Sequence, residues 1–127
     1  MQDKLSIKKE LTVEELNDLI ISAIQDIKGH NIVKLDLRQL TDAPTDFFII
    51  CHGNSDTQVK AIGSNIMKEL KAKAGENVLH SEGQTNGTWV LLDYFNTIVH
   101  IFHQEKREFY NLERLWSDAL FTEYGNL

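Results

Sequence analysis

The stretch GTWVLLDYFNTIVHIFHQ, Gly87 to Gln104, joins two runs of β-branched and aromatic residues head to head at Phe95 and Asn96. Such runs across a two- or four-residue loop form an antiparallel hairpin, and side-chain alternation then assigns every residue to a face. Val90, Leu92 and Tyr94 share one face with Val99, Ile101 and His103. Trp89, Leu91 and Asp93 share the other with Ile98, His100 and Phe102. In this register Trp89 lies opposite Phe102, and Asp93 lies diagonally from His100, within side-chain reach. The two ionisable residues are therefore expected to be neighbours, joined by a structural His–Asp hydrogen bond, because buried polar groups are normally paired.

The rest of the chain supplies what such a hairpin packs against. Thr12 reads as an N-cap with Glu15 as its capping-box partner, and Val13, Leu16, Ile20, Ala23, Ile24 and Ile27 form one apolar stripe. Gly29 is the expected left-handed C-cap. NIVKLDLR and DFFIICHG read as strands, separated by a loop containing Pro44, the only proline. A second helix starts at Ser55, buries Val59, Ile62, Ile66 and Leu70, and stops at Gly75. NVLHSEG is a weaker strand. REFYNLERLWSDAL reads as a closing helix with Phe109, Leu112, Trp116 and Ala119 at helical spacing. The order predicts an α/β fold: a mixed sheet of about five strands flanked by helices, in one domain over residues 1–127.

Charge and cysteine content narrow the functions. A net charge of -6 argues against bulk attraction to nucleic acid, so no direct nucleic-acid binding is expected; the partner is basic or a small molecule. The basic stretches IKK and LKAKAG read as solvated faces. One cysteine, Cys51 inside FFIIC, excludes an internal disulfide and suits a buried thiol in a reducing compartment. With neither a secretory leader nor a membrane-length apolar run, a cytoplasmic protein is expected.

The loop Gly53-Asn54-Ser55 precedes a helix, where backbone amides can cradle an anion. A nucleotidyltransferase would pair such a turn with two metal-binding carboxylates nearby, and here only Asp56 follows. Ser55 therefore reads as a helix cap. His52, His80, His100 and His103 lack the spacing of a zinc site, so neither metal nor cofactor is expected. Trp89 and Phe102 around Asp93 remain. Under a covering helix Trp89 is core; uncovered, it is an aromatic beside an acid, the composition of a binding hot spot.

The motifs LDLR, TDFFIICHGNSDTQVKAI, Glu82-Gly83, WVLLDYFNTIVHIF and REFYNLERLWSDA, in this order over residues 11–119, resemble the ribosomal silencing factor (RsfS, YbeB or iojap) family. The resemblance implies a nucleotidyltransferase-like fold without the catalytic carboxylates. It also implies a homodimer that binds a large-subunit ribosomal protein of the L-fourteen family and blocks joining of the small subunit. Trp89 and Asp93 are implied to face the ribosome, and Glu82, Tyr94 and His100 are assigned to the same partner-binding set. Relatives usually carry Gly-Asp where this chain has Phe95-Asn96, which puts the turn's geometry and any contact of its tip in question. The expected function is a non-enzymatic translation repressor acting by steric exclusion. The alternative is a nucleotide-binding or nucleotidyltransferase enzyme at Gly53–Ser55, with Asp93 or Asp36 as its acids.

Overall fold

The computed structural model describes residues 11–125; the basic stretch IKK lies outside them. Among the described residues, four helices and six strands follow the order α1 (Val13–Asp26), β1 (His30–Asp36), β2 (Phe47–Gly53), α2 (Asp56–Ala74), β3 (His80–Glu82), β4 (Trp89–Asp93), β5 (Thr97–His103), α3 (Gln104–Tyr110), α4 (Leu112–Leu115) and β6 (Leu120–Tyr124). The strands form one mixed sheet ordered β3-β4-β5-β2-β1-β6. Only β2 and β5 run parallel; the other neighbours are antiparallel.

Both long helices cover one face. The α1 capping box is present, with Glu15 N–H donating to Thr12 Oγ1 (3.1 Å) and Thr12 N–H to Glu15 Oε1 (2.9 Å). The buried stripes of α1 and α2 close over Ile49, Cys51, Val90, Leu92, Val99 and Ile101 as one core. Gly63 allows the approach: a Cβ there would lie 3.3 Å from Val90 Cγ1. Burial pushes the Cys51 thiol up to about 12, which makes it an inert core group. Gln58 ties the β2–α2 turn to the end of α1, accepting from Asn54 N–H (2.7 Å) and donating to the carbonyls of Ile27 and Lys28.

Three expectations change. α1 does end near Gly29, but Lys28 takes the left-handed conformation (φ 62). Gly29 is needed for space instead, because a Cβ would lie 2.3 Å from Ile24 Cγ2. The closing helix breaks at Asn111 (φ 44, ψ 59), which caps α3 at its C-terminus and α4 at its N-terminus. Asn tolerates this conformation better than other side chains. The break throws Phe109 outward to 76% exposure, while Leu112 and Trp116 stay packed against the second core. It also lets the chain turn back as a sixth strand beside β1, where about five strands were expected.

The hairpin has the expected register, with Trp89 opposite Phe102 and Asp93 opposite Ile98. Its turn is tighter than a standard two-residue loop: Asn96 N–H donates to Tyr94 C=O (3.0 Å) across Phe95 at φ 76. That pattern is a γ-turn of the strained kind. Thr45 Oγ1 bonds Phe95 C=O and Asn96 Nδ2 bonds Asp46, so the turn is pinned to the Pro44 loop. Phe95 is 72% exposed and gains little from burial. Phe95→Gly is therefore expected to raise stability by about 1 kcal/mol, the cost of a left-handed side chain; urea unfolding checks it, and a destabilised variant would show that the ring contributes packing.

Candidate functional site

The face opposite α1 and α2 is covered only in part. Val33, Leu35, Leu37, Phe48, Ile50, Phe102 and Ala119 form its core, with Trp89, Ile98, Leu112 and Trp116 half-buried around them. Segment 104–119 crosses one side of it, and Tyr110 lays its ring on Trp89 (centroids 4.5 Å apart). Trp89 also packs on Phe102 at 4.9 Å. Both readings of Trp89 therefore contribute: one flank is core, and the rest belongs to an open aromatic surface continued by Tyr110 and Phe109.

The expected His100–Asp93 hydrogen bond does not form. Trp89 Nε1–H donates to His100 Nδ1 (3.1 Å), while Asp93 Oδ1 accepts Phe95 N–H (2.8 Å) and so holds the strained turn. Alternation placed both on one face correctly, but each found a nearer partner. With Nδ1 accepting, neutral His100 carries its proton on Nε2, which is buried without an acceptor among the described residues. Phe48 stands edge-on to that imidazole at 4.7 Å.

Glu82 joins this face from the edge strand β3: it lies opposite Leu91 and bonds His80 Nε2 at 2.6 Å. His80 in turn lies opposite Asp93. Tyr94 does not join. It points into the α1–α2 core, buried, with its hydroxyl pushed up to about 12 by burial and then by Glu76. Of the five residues assigned to the partner, Trp89, Asp93 and Glu82 reach the surface of one face; His100 lies beneath it at 5% exposure.

The Gly53–Ser55 turn is spent on its own structure. Asn54 N–H goes to Gln58 Oε1 and Gln58 N–H to Ser55 Oγ, the cap that was expected. Asp36 accepts three hydrogen bonds from Arg38, two from the guanidinium and one from the backbone N–H, and these keep its carboxyl below the usual range. Two strands, β2 and β5, separate Asp36 from Asp93, and both acids lie at the opposite end of β2 from the turn. They do not converge on it. Among the described residues no group of three His, Cys, Asp or Glu side chains could hold a metal ion, and no helix is long and apolar enough to cross a membrane.

Comparison with known proteins decides the family. The model of "Ribosomal silencing factor during starvation" matches residues 10–126. The chain belongs to the ribosomal silencing factor family. The silencing factor of Halalkalibacterium halodurans is 40% identical over 110 residues, 87% of this chain and 92% of that one. That of Bacillus subtilis is 43% identical over 101 residues, 77% of this chain and 81% of that one. A crystal structure of a Chromobacterium violaceum protein matches with a TM-score of 0.80 at 36% identity, covering 84% of this chain and 88% of that chain.

In this silencing-factor chain, sequence reading missed Tyr110 and Arg107. Both lie within the closing helix read from the sequence, but outside its apolar stripe of Phe109, Leu112, Trp116 and Ala119. Arg107 is the buried residue of α3, bonding Glu113 through Nη2 (3.0 Å) and His52 Nδ1 through Nη1 (3.0 Å). Burial holds His100 down to about 4, and burial with the Arg107 charge does the same to His52. The unfolded chain takes up protons at these histidines below about pH 6.5, whereas the folded chain refuses them until about pH 4. Their contribution is thus complete above pH 6.5 and is lost as pH falls toward 4, by at most roughly 1.4 kcal/mol per pH unit for His100. Urea unfolding at pH 7 and pH 5 should show the drop, and His100→Gln, which can still accept from Trp89, should flatten it; an unchanged slope would contradict the burial argument.

Proposed function

We propose that this protein represses translation by docking on the large ribosomal subunit, through a basic ribosomal protein of the L-fourteen family, and covering the surface the small subunit needs. The observation that carries the reading is the open face. A half-buried Trp89 lies on the same strand face as Asp93, only one of whose carboxylate oxygens is engaged among the described residues. An aromatic anchor with a carboxylate near it, on a chain of net charge -6, suits a cationic protein surface. Steric exclusion needs no chemistry, in keeping with acids that do not converge. We place the protein in the cytoplasm with the ribosomes, and Phe109, at 76% exposure, fits a two-fold homodimer in the free protein.

The test is cosedimentation with purified large subunits, followed by light scattering as small subunits are added. Saturating protein should pellet with large subunits and suppress the scattering rise of joined ribosomes. Full joining in its presence would overturn the reading.

A further inference from the structure

The loop at residues 39–42 and the segment 115–118 enclose a groove of about 330 Å³ on the same open face. Its apolar lining is Leu40, Trp116 and Leu115, the last 70% exposed. Asp42 and Asp118 stand exposed on its rim, and neither is in an ion pair among the described residues. No acceptor among those residues takes the Trp116 indole N–H.

We propose that this groove docks a basic protein segment that places an apolar side chain between lysines or arginines. The chemistry selects that occupant. Two unpaired carboxylates repel an acidic or phosphorylated segment, a purely apolar segment leaves them unused, and the indole offers both an apolar wall and a face for a cation. The free N–H can meet a backbone carbonyl of the docked segment.

The groove is continuous with the Trp89 surface. Trp116 stands edge-on to Phe48 at 5.9 Å, Phe48 edge-on to His100 at 4.7 Å, and His100 accepts the Trp89 N–H. The chain's two tryptophans thus mark the ends of one packed row. That the segment belongs to the same ribosomal partner rests on the function proposed above; the groove's preference for a basic segment does not.

Two arms separate these statements. In a Trp89→Phe protein, Trp116 is the sole tryptophan, and its emission is followed while the peptide Lys-Leu-Lys-Lys-Leu-Lys or Glu-Leu-Glu-Glu-Leu-Glu is added at low salt. The lysine peptide alone should give a saturable change, weakened at least tenfold by Asp42→Lys with Asp118→Lys, exposed positions whose exchange should leave the circular dichroism unaltered. No change, or a change that survives the double reversal, overturns the groove. In the second arm, large-subunit cosedimentation of the double reversal on an otherwise unaltered chain should fall at least tenfold. Undiminished cosedimentation would show that the ribosomal partner does not use the groove. If the unaltered protein itself fails to cosediment, the ribosomal function falls while the peptide arm still decides the groove.

Discussion

An Asp93→Arg protein will fail to cosediment with large subunits, the largest expected effect on binding. Reversing a carboxylate that faces cations in a desolvated contact turns attraction into repulsion worth several kcal/mol. The structure adds a second cost, because Asp93 also accepts the Phe95 N–H and holds a strained turn. Losing that acceptor should lower stability by about 1 kcal/mol. Asp93→Asn separates the two roles: its side-chain oxygen can still accept the Phe95 N–H, so the melting temperature should barely move while binding falls by roughly tenfold or more, the loss of one charge-assisted contact. Trp89→Ala should cost about 2–4 kcal/mol of binding, as a hot-spot aromatic does. An Asp93→Arg protein that is folded and still pellets with large subunits would end the interface assignment.

Gly83→Ala should be the most destabilising of the conservative substitutions. Gly83 has φ 86, and a Cβ there would lie 1.9 Å from the Trp89 carbonyl oxygen and 2.9 Å from its carbon. The left-handed conformation alone costs an alanine about 1–3 kcal/mol. The clash is with backbone, so it is relieved only by moving β4 or peeling away β3, which is three residues long. A fall in melting temperature of roughly 10 °C is expected. Because the displaced backbone carries Trp89, large-subunit binding should weaken with it. Hydrogen exchange should localise the loosening to β3 and β4; a variant as stable as the parent would contradict the geometry.

What the sequence revealed depended on whether a periodicity or a particular partner had to be read. The hairpin's register and faces were legible because alternation forces Trp89 opposite Phe102 once the turn lies at Phe95-Asn96. The hydrogen bonds within that face were not, since period two says which side Asp93 occupies but not that the Phe95 amide is nearer to it than His100. The same alternation had already placed Tyr94 with Val90 and Leu92, on the helix-covered face where the structure finds it; only resemblance had grouped it with the partner-binding residues. Beyond His103 the apolar spacing of Phe109, Leu112 and Trp116 imitated one helix, and nothing local announced that Asn111 would adopt a left-handed conformation to return Leu120–Tyr124 to the sheet. Lys28 in place of Gly29 is a similar case: crowding against Ile24 fixed where the glycine was needed.

The single parallel pairing, β2 with β5, has a kinetic meaning. β1 with β2, and β3 through β5, are antiparallel units whose strands follow one another closely in the chain, so each can zip from its own turn or short connection. The seam between them pairs residue 47 with residue 97 and must enclose α2 and two strands before any of its hydrogen bonds form. Loop-closure entropy is therefore spent before that contact repays it, which makes the seam the slow step of folding. Core truncations at Ile49 or Val99 should slow refolding, whereas those in the edge strand β6 should act through faster unfolding. The hairpin that carries Trp89 and Asp93 is thereby shaped before the molecule closes, and its surface is exposed to the solvent while the rest of the sheet is still finding its place.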